Sequence, residues 1–112
     1  MTFDVGGTAW EVIYTEAKTK KGLRGNEGLL LKNEHKIYIN KDLVPPSRVA
    51  SVVFHEMLHA CSDISGSYYA VRQSLGIDEE RMHELEELLI RTWGQAMFDT
   101  LVRNGWLTLP MP

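Results

Sequence analysis

The chain carries at residues 52–60 the stretch Val-Val-Phe-His-Glu-Met-Leu-His-Ala, in which two histidines stand four positions apart. Apolar residues recur at helical spacing through this region, which predicts a helix over residues 47–62. Side chains four residues apart in a helix lie on the same face, one turn apart. We therefore expect the imidazoles of His55 and His59 to converge on one point, with Glu56 beside it.

The pattern His-Glu-x-x-His predicts a site for Zn²⁺. Zinc binds imidazole nitrogens at about 2.0–2.1 Å, and a catalytic zinc keeps one coordination position open. Glu56 directly follows the first ligand, where it would take a proton from zinc-bound water, whose pKa the metal lowers to about 7. These polar residues would be costly in an otherwise apolar run without a partner. His55 and His59 are therefore predicted as ligands and Glu56 as the general base; the competing interpretation is a solvated histidine pair on an amphipathic helix.

A catalytic zinc needs a third protein ligand. A second helix is predicted over residues 78–104, with Asp78 as its N-cap. On a helical wheel Glu86 falls near the middle of the apolar face of this helix, where a carboxylate is costly unless a cation meets it. Glu86 is therefore predicted as the third ligand, and Glu87 and His83 are the next candidates. The alternative role for Glu86 is a buried salt bridge or a cap on the first helix.

The rest of the chain predicts strands first and helices after. Residues 9–40 are predicted to form a small, mostly antiparallel sheet, in which Lys36–Asn40 alternates polar and apolar residues. Residues 68–75 are either a short helix or an ordered loop. Gly105 is predicted to end the last helix before an apolar tail, residues 105–112. This order predicts a single α+β domain.

Composition excludes several classes of protein. The chain has 112 residues, 44% of them hydrophobic and 24% charged, as in a single soluble globular domain. The net charge is −3, so binding to nucleic acid or to an anionic membrane is not expected. No apolar stretch has the length of a membrane span, no signal peptide is recognised, and a cytoplasmic location is expected. The one cysteine, Cys61, forms no internal disulfide and is expected to be a small core residue.

The strand Lys36–Asn40, a short connection and the stretch 52–60 together resemble the zincin group of zinc metallopeptidases. The residues after His59 lack the third histidine of the metzincins, whereas a glutamate on a later helix, here Glu86, is the gluzincin pattern. In length and order the chain is similar to minimal gluzincin domains and to short phage and prophage metallopeptidases. The resemblance spans roughly residues 9–104, and His-Glu-x-x-His is its one specific motif.

This resemblance implies a zinc-dependent peptidase with a minimal zincin-like fold. A peptide or protein substrate would bind in an extended conformation beside the strand Lys36–Asn40, with zinc polarising the scissile carbonyl and Glu56 passing the proton to the leaving amine. Two other interpretations stay open. One is a binding or regulatory protein that keeps the fold and the ion without useful turnover, and the other is a structural domain without metal.

The sequence leaves the donor that would stabilise an oxyanion open. The candidates are Tyr68, Tyr69, Arg81 and His83. A further hypothesis is that the tail, residues 106–110, lies in the substrate groove and blocks it, with packing against the core as the alternative.

Overall fold

The computed structural model describes residues 1–43, 45 and 47–108 and confirms the α+β class. The sheet has four strands: β1 (Thr2–Val5), β2 (Thr8–Thr15), β3 (Gly28–Leu31) and β4 (Lys36–Asn40). The helices are α1 (Ser47–Ile64), α2 (Ser67–Leu75), α3 (Glu79–Leu89) and α4 (Gln95–Arg103). A π turn, Ile90–Gly94, joins α3 to α4, and we call the continuous element from α3 to α4 the closing helix. None of the helices in these ranges combines the length and the hydropathy that crossing a bilayer requires.

The sheet is mixed, with the strand order β1-β2-β4-β3. The two outer pairings are antiparallel and the central pairing of β2 with β4 is parallel. Strand β1 lies outside the range predicted from the sequence, because its four residues carry little strand signal of their own and are held by their pairing with β2.

Strand β4 lies inside the sheet, which corrects the expectation of a substrate beside it. Its residues pair with Glu11–Thr15 on one side and with Gly28–Leu31 on the other. Both rows of its backbone hydrogen-bonding groups are therefore occupied, so Lys36–Asn40 offers no free edge to a peptide. Next to β4, at the end of the strand order, β3 is the outermost described strand of the sheet.

The core lies between the sheet and α1. The predicted alternation in β4 is confirmed, since Ile37 and Ile39 are both fully buried. They share one apolar cluster with residues of β1, β2 and α1, namely Val5, Trp10, Val12, Val49, Val52, Val53 and Ala60. At the edge of the sheet α1 passes so close to β3 that a Cβ atom added at Gly28 would lie 2.9 Å from Oε1 of Glu56. The packing thus directs Glu56 toward the edge strand.

The closing helix approaches α1 from the other side. It begins as predicted, with the Asp78 carboxylate accepting a hydrogen bond from the backbone N–H of Arg81 at 2.8 Å, and it ends before Gly105, whose φ is +69°. The π turn within it is not predicted by the sequence. Gly94 in this turn allows close contact between the helices, because a Cβ atom there would lie 2.6 Å from Cδ1 of Leu58. Residues 68–75, for which the sequence allowed a helix or a loop, fold as part of α2.

Candidate metal centre

The two histidines of α1 converge as expected from their spacing. The ring centroids of His55 and His59 are 5.0 Å apart and the rings are inclined at 65°. Both side chains are only partly exposed, and their Nε2 atoms face the closing helix, where they meet one carboxylate. The site therefore forms between α1 and α3.

That carboxylate belongs to Glu87. Its Oε1 lies 3.0 Å from Nε2 of His55, and its Oε2 lies 2.9 Å from Nε2 of His59. One ligand atom from each of the three residues falls within 4.8 Å of the other two. Two imidazole nitrogens and a carboxylate oxygen form the donor set of many catalytic zinc sites. His55, His59 and Glu87 therefore lie close enough to hold a metal ion.

Glu86 occupies a different place, which corrects its predicted role as the third ligand. Its Oε1 lies 2.5 Å from Nδ1 of His59, on the side of the ring away from Glu87, and its Oε2 accepts a hydrogen bond from Oγ of Ser62 at 2.6 Å. The wheel correctly placed Glu86 in a buried position, since it is 9% exposed. Burial required a partner, and His59 and Ser62 meet that requirement instead of an ion.

Of the two further candidates for the third ligand, Glu87 lies in the cluster and His83 does not. His83 is exposed, and its Nε2 lies 3.8 Å from Glu79 on its own helix. Consecutive helical residues are about 100° apart around the axis. This angle separates Glu86, which faces Nδ1 of His59, from Glu87, which faces the two Nε2 atoms.

Glu86 holds the ring of His59 in one orientation. Burial raises the pKa of Glu86, but the hydrogen bonds from His59 and Ser62 outweigh it and keep this pKa below its usual value. Burial lowers the pKa of His59, but the hydrogen bond to Glu86 and the charge of Glu56 outweigh it and raise the pKa. An ionised carboxylate on Nδ1 favours the neutral tautomer that carries its proton there, so that Nε2, which faces Glu87, would be the atom that binds a metal.

Changing Glu86 should weaken metal binding without removing a ligand. Glu86→Gln keeps the shape but replaces a charged acceptor, and loss of such a supporting residue typically costs about 10–100-fold in metal affinity. Competition with a zinc-chelating dye measures the dissociation constant. Glu84→Gln, a change at a nearby exposed carboxylate, is the control and should bind zinc as the wild type does. Equal affinity in Glu86→Gln and wild type would contradict the role given to Glu86.

Glu56 is the partly buried carboxyl of the site that has no hydrogen bond or ion pair within the described part of the chain. Burial raises its pKa from 4.5 to about 7, against the opposing charge of His59. A carboxyl group with this pKa exchanges a proton near neutral pH, as a general acid or base must. Its place beside His55 and His59 and facing β3 makes it available for proton transfer next to the cluster.

The raised pKa of Glu56 predicts a pH dependence of stability in the metal-free protein. The folded chain holds this proton more tightly than the unfolded chain does, so ionisation of Glu56 opposes folding. The cost is nearly absent below pH 4.5, grows as the pH rises and is complete above about pH 7. At 1.36 kcal/mol per pH unit it reaches about 3 kcal/mol.

Glu56→Gln removes this ionisation and should therefore stabilise the metal-free protein at about pH 8 but hardly at about pH 4.5. Urea unfolding in the presence of a chelator measures the difference at each pH. The exposed Glu80→Gln is the matched control and should shift neither curve. A stabilisation by Glu56→Gln that is the same at both pH values would count against the shifted pKa.

An open cleft runs past the cluster, between β3 and the closing helix. Its two adjoining parts have volumes of about 500 Å³ and 740 Å³, and Gly28, Glu56, Glu87 and Arg91 line both. His55 lines one of these parts and His59 the other, so the cluster borders the cleft. Sequence reasoning missed Arg91, although its spacing of four residues from Glu87 would have placed both on one helix face.

The predicted oxyanion donors are not gathered at the cluster. His83 lines one part of the cleft, whereas neither Arg81 nor the two tyrosines line the described cleft. Tyr68 is buried with its ring against His83, and the hydroxyl of Tyr69 donates to Asp63 at 3.4 Å. The geometry therefore keeps only His83 of the four candidates beside the site.

The structure also bears on two other expectations, the burial of Cys61 and the position of the tail. Cys61 is exposed rather than a core residue, because it lies on the side of α1 away from the sheet. Trp106 is 72% exposed, and residues 106–108 do not line the described cleft. Residues 109 and 110 of the proposed inhibitory tail lie outside the described residues.

Comparison with protein families, with curated proteins and with solved structures finds no match to this chain. The assignment of the site therefore depends on its own geometry and chemistry.

Proposed function

We propose that this protein is a zinc-dependent peptidase. One observation carries the proposal: the Nε2 atoms of His55 and His59 and the carboxylate of Glu87 lie within 4.8 Å of one another, beside a Glu56 that forms no hydrogen bond or ion pair with the described residues. This is the arrangement of three ligands and one proton acceptor that hydrolysis of an amide at a metal requires. It lies in an open cleft, so a substrate has access to it.

Zinc is the metal we propose, because two neutral imidazoles and one carboxylate suit it and leave room for a further ligand. Bound there, zinc would supply a Lewis acid that polarises a carbonyl group and makes a nucleophile available near neutral pH. His55, His59 and Glu87 would hold the ion. Glu86 would keep His59 in the tautomer that binds it.

Glu56 is the proposed general base. In the metal-free protein burial raises its pKa to about 7, so the carboxyl group is a stronger base than an exposed glutamate. Beside a bound zinc it would accept a proton from the attacking water and pass the same proton to the leaving amine. The close approach of α1 to Gly28 positions the carboxyl group at the rim of the cleft.

The substrate is proposed to be an extended peptide beside β3. This strand is the outermost described strand on the side of the cleft, and Gly28 and its neighbours line the cleft. Edge strands present unpaired backbone groups to which an extended peptide can add. A peptide bound in this way would cross the cleft between β3 and the closing helix, above Glu56.

Metal analysis combined with a cleavage assay tests the proposal. Purified protein should contain one zinc per chain and should cleave an unfolded protein such as reduced, alkylated casein. Cleavage should stop after chelation and return on addition of zinc, and a double variant, His55→Ala with His59→Ala, should neither bind zinc nor cleave.

The same assay separates the proposal from its rivals. Bound zinc without cleavage would overturn the enzymatic function and favour a binding protein. Absence of zinc at saturating concentrations would overturn the metal site and favour a structural domain.

A further inference from the structure

In the part of the cleft next to His55, nearly all polar side chains already have partners within the protein. Arg48 forms two bonds to the carboxylate of Glu27, at 2.6 Å from Nε to Oε2 and 2.5 Å from Nη2 to Oε1. The others form hydrogen bonds or ion pairs at 2.9–3.1 Å: Asn26 with Gly22, Ser51 with Gln95, Gln95 with Asp99, and His55 with Glu87. These groups are engaged in holding the wall of the cleft together.

Arg91 is an exception. Its guanidinium makes no hydrogen bond, ion pair or ring contact with the residues that the structure describes, and its side chain is exposed. It lines both parts of the cleft. Glu56, the proposed general base, is the other polar side chain there that forms no hydrogen bond or ion pair with the described residues. Arg91 is therefore a free donor of several hydrogen bonds beside the proposed reaction centre.

The position of Arg91 relative to the metal ligands follows from the closing helix. Arg91 comes four residues after Glu87, which is one helical turn or about 6 Å along the axis. Residues four apart in an α-helix drift around the axis by about 40°. The π turn that begins at Ile90 has more residues per turn than an α-helix, so each residue rotates less around the axis. Gln95 therefore lines the same wall of the cleft as Glu87 and Arg91.

The charge of this part of the cleft also favours an anion once a metal is bound. The ionisable groups that line it, besides His55, are three carboxyls and two guanidiniums: Glu27, Glu56, Glu87, Arg48 and Arg91. A divalent cation on the cluster would make the sum positive. Because Glu27 already neutralises Arg48, the positive charge that remains on the protein wall is that of Arg91.

From these observations we infer that Arg91 binds a carboxylate of the substrate, so that the protein cleaves peptide bonds close to an anionic group. The planar guanidinium matches a carboxylate with two parallel hydrogen bonds. Arg91 stands one helical turn from the ligand Glu87, and an extended peptide covers such a distance in about two residues, at about 3.3–3.6 Å per residue. We therefore expect the anionic group about two residues from the scissile bond. This inference rests on the proposed function, since it names the substrate class of the same site.

Binding of small thiols tests the inference without relying on turnover. The probes are 3-mercaptopropanoate and 4-mercaptobutanoate, each compared with its amide, and calorimetry with the zinc-loaded protein measures the four affinities. The thiolate binds zinc in every probe, and acid and amide differ in the group at the other end of the molecule. Because that carboxylate could also bind the zinc itself, the comparison is repeated with Arg91 variants. For at least one chain length the acid should bind about tenfold or more tightly than the amide, as expected of a hydrogen bond between charged groups.

Variants decide which residue causes that preference. Arg91→Gln should bind the acid no more tightly than the amide, with the affinity for the amide unchanged. Arg103→Gln, a change at an exposed arginine in the last turn of the closing helix, should keep the preference. Equal binding of acids and amides by the wild type, or a preference that survives in Arg91→Gln, would overturn the inference alone. Loss of zinc-dependent binding for every probe would overturn the proposed metal site, and the inference with it.

Peptides then distinguish the two sources of the carboxylate. Peptide mixtures are prepared with free and with amidated C-termini, and mass spectrometry locates the cuts. Cuts within two residues of a free C-terminus identify the terminal carboxylate, and cuts beside internal Asp or Glu in amidated peptides identify a side chain. Cleavage that is indifferent to both would overturn the inference even if the protein is an active peptidase.

Discussion

Glu56→Gln is expected to lower the rate of peptide hydrolysis by about 10²–10⁴-fold, the usual contribution of a general base. The amide of glutamine neither accepts the proton from water nor returns it to the leaving amine. Zinc binding should persist, because Glu56 lies beside the cluster formed by His55, His59 and Glu87 and is not part of it. Parallel measurement of kcat/KM and of zinc content checks both expectations.

The control for this experiment is Glu80→Gln, which changes an exposed carboxylate in the first turn of α3. It should leave both rate and zinc content unchanged. Full activity in Glu56→Gln would show that the base is another group. Loss of zinc together with activity would show instead that Glu56 belongs to the metal site.

Among the glutamate variants, Glu87→Gln should have the largest effect on metal affinity. It replaces the carboxylate of the proposed ligand, which contacts the Nε2 atoms of both histidines, with a neutral amide. The zinc dissociation constant should rise by more than the 10–100-fold that loss of a supporting residue such as Glu86 costs. Stabilisation by zinc should fall accordingly from about 4 kcal/mol, the value reached when zinc exceeds the dissociation constant a thousandfold.

Glu84→Gln is the matched control, since Glu84 lines the same cleft but contributes no atom to the cluster. It removes one negative charge from the same cleft and should bind zinc as the wild type does, which distinguishes loss of the ligand from a general change of charge. Thermal unfolding with and without zinc should distinguish the two variants clearly. A larger loss of affinity in Glu86→Gln than in Glu87→Gln would restore Glu86 as the ligand.

The third ligand shows what helical periodicity can and cannot predict. The wheel placed Glu86 on the buried face, and it is buried. Periodicity predicts which residues are buried, but it does not predict which group binds a buried charge. That partner is Nδ1 of His59, so the next residue, with a side-chain exposure of 46%, faces the two Nε2 atoms. A difference of one helical position thus separated the supporting carboxylate from the proposed ligand.

The order of the strands in the sheet likewise could not be predicted from the local sequence pattern. Alternation in Lys36–Asn40 identified the strand and its buried face, and both are confirmed. Polar and apolar residues alternate in the same way in an edge strand and in an inner strand. The alternation shows which face of the sheet is buried, but it does not show whether the strand has a neighbour on both sides. The pairing of β4 with both β2 and β3 therefore had to come from the structure, and it moves the proposed peptide edge to β3.

By itself the sequence determined those features that depend on neighbours along the chain: the α+β order, the one helix that carries His55, Glu56 and His59, and the cap at Asp78. The tertiary structure alone decided the features that depend on how elements pack. These are the approach of Glu87 to both imidazoles, the burial that raises the pKa of Glu56, and the freedom of Arg91 in the cleft. Local spacing defines the direction of a side chain on its own helix, whereas distance and burial arise only when α1, the closing helix and the sheet meet.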